Sequence, residues 1–470
     1  MARYALLAGL LLTTACSVGP DYGKPDFELP SSWFTTAEKA PAIDEKTGVE
    51  QMWWKRFKDP VLSGLIDKAL AGNLDLKIAE ARIAEARATR AYARADLLPT
   101  VNGKADALRQ GNRIAFPGPF DLTKPFNTFE TGFDASWELD LFGGKRRALE
   151  TGTAMLAAAE ASRDEARVSL LAEVARTYMD IRQYQQQLAI VRETVASEQG
   201  SVNIAGERYR VGDTPKLDVM QANAQLEQFL TQVPYYENLL AQSEFSMDVL
   251  LAAPSGATHA LMGDVAPVPV ADKELVLAAP AQVIAARPDI RAAEQLLIAA
   301  TASQGVAVAA LFPDVSLSGF LGFLNIDAGN LLKSGSTSWS AGGNVLLPIL
   351  NYGRLSANID AADARRQQAL ATYQKAIIAA LADVNKSATA FLKQEEFRRA
   401  LAKTVADNRQ VTVIARMRYK EGMSSFTDVL EAQRTLYASQ NQLVQADAQV
   451  SEALVALYKS LGGGWQEAAK

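Results

Sequence analysis

The residue types that usually perform catalysis or bind metals are almost absent from this sequence. Its 470 residues include one histidine, His259, and one cysteine, Cys16. A soft-metal site needs several His or Cys ligands, and a Cys/His or Ser/His/Asp nucleophile needs a histidine beside it. His259 follows Pro254 and Gly256 in a loop-like stretch, where a lone histidine is usually a surface residue. We therefore expect no enzyme, with no catalytic residue, metal site or cofactor.

Carboxylates are the chemically active groups that this sequence does arrange in a pattern. From Phe129 to Leu141, apolar and aromatic residues alternate with acidic and small ones. Period-two alternation over about 13 residues predicts a strand long enough to cross a bilayer at a tilt. One of its faces is apolar and the other is acidic. We expect the acidic face to line a barrel lumen, through Glu130, Asp134, Glu138 and Asp140.

Three further segments alternate in the same way and complete a set of four strands. Val315–Phe320 is a clear case, and Val101–Arg109 and Trp339–Val345 are weaker ones. Four strands cannot close a barrel, and open strand edges are not stable in lipid, so the barrel must be shared between chains. Two chains would give eight strands with a filled interior, whereas three would give twelve and begin to enclose water. The alternative is the edge of a soluble β-sandwich.

The chain contains two copies of one unit. Arg208–Gly212 recurs as Arg418–Gly422, and Asp218 recurs as Asp428, each at an offset of 210 residues. Each half is predicted to run helix, strand pair, long helix, turn, helix. We divide the chain into a signal peptide (1–15), a lipidated N-terminal segment (16–58), a first repeat (59–262), a connection (263–286), a second repeat (287–460) and a tail (461–470).

The helices are predicted to be unusually long. Apolar residues follow the alternating three- and four-residue spacing of coiled coils. A helix from about Lys145 to Ser197 would be roughly 80 Å long at 1.5 Å per residue. A purely structural coiled coil is an alternative, but it does not explain the strands. The apolar stripes comprise Leu171, Val174, Tyr178, Ile181, Leu188, Val191 and Val195, and then Tyr373, Ile377, Leu381, Val384, Ala388 and Phe391.

The first residues are typical of a secreted lipoprotein. Arg3 precedes a short apolar run, Tyr4–Leu12, and Cys16 follows soon after it. This pattern is that of a secretory signal, and the position of Cys16 resembles a bacterial lipobox, in which the cysteine is acylated. Ser17 resembles the residue that directs such lipoproteins to the outer membrane.

The net charge of -5 argues against a nucleic-acid partner, which would need a basic face.

Several segments together resemble one family, the NodT/OprM branch of the TolC-like outer-membrane factors. Cys16–Tyr22 with Pro25 resembles the mature start of these efflux lipoproteins, and Trp137–Gly143 resembles their strand-to-helix junction. Arg287-Pro288-Asp289 resembles the start of their second half. The family's two helix-hairpin tips have counterparts here, because similar residues occur at Arg208–Val219 and at Arg418–Gln433. The resemblance covers essentially the whole chain, in order.

The resemblance implies a mixed α and β fold. It implies a long antiparallel coiled-coil α-helical barrel joined to a transmembrane β-barrel shared by three chains, with four strands each and an irregular equatorial region. It also implies a passive exit duct for small molecules such as drugs, contributing to antibiotic resistance. The implied partners are a periplasmic adaptor (membrane fusion) protein, an inner-membrane transporter of the resistance-nodulation-division (RND) class and outer-membrane lipid.

A gate at the periplasmic helix tips is also implied. Asp428 and Glu431 are three residues apart and share a helix face, so a trimer would carry two carboxylate rings that attract cations. Thr427 would lie one position off this face. Tyr419, supported by Arg418, is expected to hydrogen-bond a neighbouring helix. The adaptor is expected to dock at the tips, around Gly212, Asp218, Gly422 and Ser424.

Two other functions remain open at this point. A duct for type I protein secretion would have the same fold with a different transporter, although the lipoprotein start favours small-molecule export. A structural coiled coil that spans the envelope would need neither the acidic strand face nor the tip carboxylates.

Overall fold

The structure is a computed structural model that describes residues 17–33, 42–43, 50–111, 125–271 and 276–466. The predicted signal peptide and Cys16 lie outside the described residues, as do residues 112–124 between the first two strands. The chain divides into two compact units. Unit 1 is Met1–Asp26, Arg82–Ala159 and Ala292–Tyr373, and unit 2 is Phe27–Ala81, Glu160–Arg291 and Gln374–Lys470. Both sequence halves contribute to both units, and the predicted domain boundaries stay a prediction.

The order of elements in each half follows the predicted order of helix, strand pair, long helix, turn and helix. The first half contains α1 (Pro60–Gly72), α2 (Leu74–Ala95), β1 (Thr100–Gln110), β2 (Phe126–Leu139), α3 (Gly144–Arg210), α4 (Lys216–Leu230), α5 (Gln232–Leu251) and α6 (Ala257–Met262). The second contains α7 (Pro280–Ala286), α8 (Pro288–Ala309), β3 (Asp314–Asn325), β4 (Thr337–Leu346), α9 (Tyr352–Lys420) and α10 (Phe426–Leu461).

Short elements complete the described chain. Ala42–Ile43 pairs in parallel with Val276–Leu277. Three 3-10 helices cover Trp53–Phe57, Ala328–Asn330 and Ser334–Ser336. The last two lie in the connection between β3 and β4.

The helices before and after the long helix of the first half are interrupted for local reasons. Asn73 separates α1 from α2, and its side-chain oxygen accepts hydrogen bonds from the backbone N–H groups of Asp75 and Leu76, at 2.9 and 3.1 Å. This arrangement is that of a helix N-cap. Pro234 lies at the start of α5, where its missing N–H and its ring are incompatible with an unbroken helix through Leu230.

The two long helices confirm that the helical segments are unusually long. Helix α3 has 67 residues and α9 has 69, both longer than the predicted span. The apolar stripe of α3 is fully buried within unit 2 at Leu171, Val174, Tyr178 and Ile181. These residues belong to one core with residues of α1 and α10, so the three-and-four spacing indicates core positions as predicted.

All four predicted strands are present in one antiparallel sheet in unit 1, in the order β1-β2-β3-β4. Gly132 pairs with Lys104 on one side and with Gly322 on the other. Leu321 pairs with Phe133 and with Trp339. Because directly opposed residues of neighbouring strands share a face, the predicted alternation gives the whole sheet one apolar and one polar face.

Candidate functional site

The apolar face of the sheet is open to the surroundings in the single chain. Phe133, Leu321 and Trp339 form one row across β2, β3 and β4, and they are 62%, 63% and 74% exposed. A contiguous exposed apolar surface marks contact with lipid or protein. Exposure of these apolar side chains to water is unfavourable in free energy, so the row identifies the face that needs an apolar environment.

The opposite face carries three of the four predicted acidic residues. The carboxylate of Glu130 lies 3.2 Å from Nζ of Lys104 on β1. Asn102 donates a hydrogen bond of 3.5 Å to Asp134, and Lys145 lies 3.0 Å from Glu138. The structure therefore brings the three carboxylates onto one face, as alternation predicts. It also shows that Lys104 pairs with Asp106 of β1, at 2.9 Å, as well as with Glu130, so β1 adds both a cation and a carboxylate to that face.

Asp140, the fourth predicted lumen residue, has a different role. Strand β2 ends at Leu139, and the Asp140 carboxylate accepts hydrogen bonds from the backbone N–H groups of Lys145 and Arg146, at 3.1 and 3.0 Å. The Arg146 side chain donates a further bond of 2.9 Å. A carboxylate at the first turn of a helix satisfies free N–H groups and the helix dipole. The prediction of a lumen-facing Asp140 is therefore corrected to a cap of α3.

Each of the two predicted tips is a glycine turn with the same geometry. We call Arg208–Asp218 the first tip and Arg418–Asp428 the second tip. Gly212 and Gly422 have φ values of 79° and 71°, a conformation that only glycine adopts without strain. The N–H groups of Asp213 and Met423 donate back to the carbonyls of Arg208 and Arg418, both at 2.8 Å. These bonds are those of a Schellman motif. Both glycines thus have a backbone role, independent of any docking partner.

Arg208 of the first tip contacts Tyr419 of the second tip. Its guanidinium carbon lies 4.5 Å from the centre of the Tyr419 ring, and its Nη1 donates a 2.7 Å hydrogen bond to the Tyr419 carbonyl. The Tyr419 ring is buried against Phe426, with ring centres 5.1 Å apart. Its hydroxyl is buried without a hydrogen-bond partner in the described residues. The expected hydroxyl bond to a neighbouring helix is not formed within the single chain, where the ring packs into an apolar cluster. A bond to a helix of another subunit stays a prediction.

The predicted gate carboxylates lie on the exposed surface of the first turns of α10. Thr427, Asp428 and Glu431 are all exposed. Asp428 has an additional structural role, because it forms a capping box with Ser425. The Ser425 N–H donates to Asp428 at 3.1 Å, and the Asp428 N–H donates to the Ser425 hydroxyl at 3.3 Å. A charge change at Asp428 would therefore also weaken the start of α10.

The remaining predicted tip residues differ in exposure. Arg418 is exposed and donates a 3.4 Å hydrogen bond to the Met423 carbonyl. Asp218 accepts a hydrogen bond from the Thr214 hydroxyl. The Ser424 hydroxyl is buried without a hydrogen-bond partner in the described part of the chain, so its side chain is not presented for docking in this structure. The first tip also has exposed apolar side chains, at Val211 and Leu217.

One buried carboxyl near the tips was missed by the sequence analysis. Glu198 of α3 is 1% exposed, and neither of its carboxyl oxygens has a hydrogen-bond partner in the described residues. Burial raises the pKa of this carboxyl from its ordinary value of 4.5 to about 7, although Arg416 and Arg434 favour the charged form. The signal in the sequence is its spacing, because Glu198 lies between Val195 and Val202 in the apolar stripe.

Two kinds of feature are absent from the described residues. No group of three or more His, Cys, Asp or Glu side chains is placed to hold a metal ion among them. No helix within these residues combines the length and the apolar character needed to cross a membrane.

The comparisons with known proteins agree with this architecture. The sequence pattern of the family described as "Outer membrane efflux protein" matches residues 65–253 and 279–463. The chain belongs to this family. It is 32% identical over 467 residues to the solvent efflux pump outer membrane protein SrpC of Pseudomonas putida, covering 97% of each chain.

Further similarities cover nearly the whole chain. It is 31% identical over 480 residues to the pyoverdine export outer membrane protein OpmQ of Pseudomonas aeruginosa, covering 99% of this chain and 98% of that one. The structure of the outer-membrane channel OprN superposes with a TM-score of 0.88 at 33% identity, covering 96% of this chain and all of that one. The protein is an outer-membrane efflux duct that extends into the periplasm, as predicted.

Proposed function

We propose that this duct works as a homotrimer whose twelve strands form one transmembrane β-barrel. The observation that carries the proposal is the four-stranded sheet with an exposed apolar face. Its outer strands, β1 and β4, each have a strand neighbour on one side only in the described residues. In lipid every backbone polar group must be paired, so both edges need strands from further copies. Three copies are the smallest number that encloses a water-filled lumen.

The polar face of the sheet would then line this lumen. Glu130, Asp134 and Glu138 would give it an acidic character that Lys104 and Lys145 partly offset. Passive conduction of small molecules needs no further chemistry from the protein.

The second tip and the first turns of α10 would form the periplasmic gate of the trimer. Asp428 and Glu431 would form two stacked carboxylate rings, because their side chains are exposed on one helix face. Rings of like charge attract cations and raise one another's pKa. Thr427 and Arg418 would lie beside these rings, and Tyr419 would hold the tip through its buried ring.

Docking of a periplasmic adaptor would use the exposed part of both tips, around Gly212, Asp218 and Gly422. An RND transporter of the inner membrane would select the substrates, which would include drugs and so contribute to antibiotic resistance. The relatives named for solvent efflux and pyoverdine export favour small-molecule transport over type I protein secretion. Secretion remains the second candidate, because the same fold could serve a different transporter.

Acylation of Cys16 would anchor the mature chain, a palmitate or similar acyl group being the expected lipid. The residues that follow Cys16 are fixed to the fold of unit 1, which supports an anchor at a defined place. Val18 donates a backbone hydrogen bond of 3.1 Å to Phe142. The buried Arg147 lies 2.5 Å from the Asp21 carboxylate.

The proposal is tested by the mass of the purified full chain in detergent and by its conductance in a planar bilayer. We expect the mass of a trimer and small, cation-selective openings. A monomer that conducts nothing would contradict the shared barrel. A trimer with a wide, unselective pore would contradict the proposed gate but leave the barrel intact.

A further inference from the structure

The packing of helices near the tips contains a carboxyl group in a position that normally holds an apolar residue. Glu198 follows Val195 by three residues and precedes Val202 by four, so it occupies a core position of the stripe on α3. It is 1% exposed. A charged carboxylate at such a position is costly unless it is paired or hydrogen-bonded.

The carboxyl group of Glu198 accepts no hydrogen bond from the described residues. Both of its carboxyl oxygens are buried without a partner in the described residues, and so is the side-chain oxygen of Gln433 on α10. Ser201, one turn after Glu198, accepts a 3.2 Å hydrogen bond from the Gln433 amide. Glu198 and Ser201 share a helix face. Three side-chain acceptors of α3 and α10 are thus unsatisfied in the described residues. A proton on Glu198 would remove the charge that makes its unpaired burial costly.

The nearby cations do not pair with this carboxylate. Arg416 of α9 donates to the Ser197 hydroxyl, and Arg434 of α10 donates a 2.5 Å hydrogen bond to Gln225 of α4. Both guanidinium groups favour the charged form from a distance, but the effect of burial is larger and raises the pKa of Glu198.

The equivalent position in the other half is neutral and satisfied. Asn408 lies 210 residues after Glu198, and it donates a 3.1 Å hydrogen bond to Ser439. The residue equivalent to Ser439 in the first half is the buried Phe229. The first half therefore has Glu198 and Phe229 at the two positions where the second half has the hydrogen-bonded pair Asn408 and Ser439.

We propose that Glu198 is a proton-binding site that is neutral when α3, α9 and α10 are packed as in this structure, and that ionises when these helices separate. The proposal rests on the gate proposed above, because it makes the helices next to the tips respond to the pH of the periplasm. Protonation favours the packed arrangement, and ionisation favours an arrangement in which water reaches the carboxylate.

The direction of the pH dependence follows from proton linkage. The packed state has the raised pKa, so it binds more protons than the separated state between pH 4.5 and about 7. Packing is therefore strongest below this range and weakens as the pH rises through it. One linked proton changes the local opening equilibrium by about tenfold per pH unit at most, and the equilibrium becomes independent of pH above the range.

The test is local hydrogen exchange of the full-length protein between pH 4.5 and 8, corrected for the intrinsic pH dependence of exchange. Peptides that cover Glu198 to Ala205 are followed in the wild type and in Glu198→Gln. We expect opening in the wild type to increase with pH, and the neutral, isosteric Glu198→Gln to remain packed with a flat profile. Glu452→Gln is the matched control. Burial and the neighbouring Asp180 raise the pKa of Glu452 to about 7 as well, so this variant removes a carboxyl that titrates in the same pH range but lies outside the peptides followed.

The outcomes separate this inference from the proposed function. Equal pH profiles in the wild type and Glu198→Gln would overturn the proton-binding site, whether or not the protein conducts. The proton-binding site would likewise be overturned if hydrogen exchange of these peptides also became independent of pH in the control variant Glu452→Gln. An infrared band of a protonated carboxylic acid that disappears in Glu198→Gln would support the site even if a variant conducts poorly. A channel that stays silent at every pH would instead count against the proposed duct.

Discussion

Arg208 and Tyr419 are 211 positions apart in the chain and meet through two contacts at the tips. The guanidinium group covers the tyrosine ring at 4.5 Å, and it donates a 2.7 Å hydrogen bond to the tyrosine carbonyl. Arg208 also lies 2.8 Å from the Asp213 carboxylate of its own tip. One side chain thus connects the C-terminal ends of α3 and α9, which belong to different halves of the sequence.

Removal of this side chain is expected to loosen the tips. Arg208→Ala loses a cation–π contact and a charge-assisted hydrogen bond, and we expect a cost of about 2 kcal/mol in local stability. In a planar bilayer the variant should open more often than the wild type. Arg210→Ala is the control, because Arg210 pairs with Glu207 on its own helix. Similar opening in the two variants would show that Arg208 is not the connection.

The tyrosine hydroxyl is expected to contribute little within the chain. Since the hydroxyl of Tyr419 is buried without a partner in the described residues, Tyr419→Phe should retain the closed state and the thermal stability of the wild type. Tyr419→Ala removes the ring and should destabilise the tip by about 3 kcal/mol. If Tyr419→Phe opened the channel as much as Tyr419→Ala, the hydroxyl would have a partner in another subunit.

The two gate carboxylates should respond differently to neutralisation. Glu431→Gln is expected to reduce cation selectivity without a change in stability, because Glu431 is exposed. Asp428→Asn should reduce selectivity and also weaken the cap of α10. Ser425→Ala separates the two effects, since it removes the cap at a cost of about 1 kcal/mol but keeps the charge. The measurements are reversal potentials and thermal unfolding. Unchanged selectivity in the Glu431→Gln/Asp428→Asn double variant would refute the carboxylate rings.

Alanine at the tip glycines is expected to strain the turns. Gly212→Ala and Gly422→Ala place a β-carbon at a positive φ, which costs about 1–2 kcal/mol. Gly206→Ala is a control within α3, where a β-carbon meets no other atom within 4 Å; it should stabilise the helix by up to about 1 kcal/mol. Thermal unfolding distinguishes them. Equal stability of all three variants would contradict the positive-φ requirement.

Two paired glycines of the sheet are expected to be intolerant of any side chain. A β-carbon at Gly132 would lie 2.6 Å from the α-carbon of Gly322, which is closer than atoms can approach. Gly132→Ala should therefore reduce the fraction of trimer recovered in detergent. Gly103→Ala in the same sheet is the control, because its β-carbon would meet nothing within 4 Å. Normal trimer recovery from Gly132→Ala would show that the strands can separate at this pair.

Local patterns in the sequence were enough to predict the strands, the long helices and the tip turns. Alternation along β2 reports which residues share a face, because that property depends only on the geometry of one strand. The glycines at 212 and 422 mark turns for a similarly local reason, since few other residues adopt a positive φ. The repeat relates the two tips, because equivalent residues at a fixed offset of 210 indicate the same unit.

Tertiary structure alone decided which carboxylates are structural and which are exposed. Asp140 continues the alternation of β2 in the sequence, but the strand ends one residue earlier and the carboxylate caps α3. The sequence around Tyr419 does not show whether its hydroxyl is hydrogen-bonded. Only the positions of Arg208 and Phe426 show that the ring makes the contacts within the chain. Burial of Glu198 likewise depends on several helices that meet around it. The energy of an ionisable group depends on these neighbours and on access to water, which no spacing along one chain segment records.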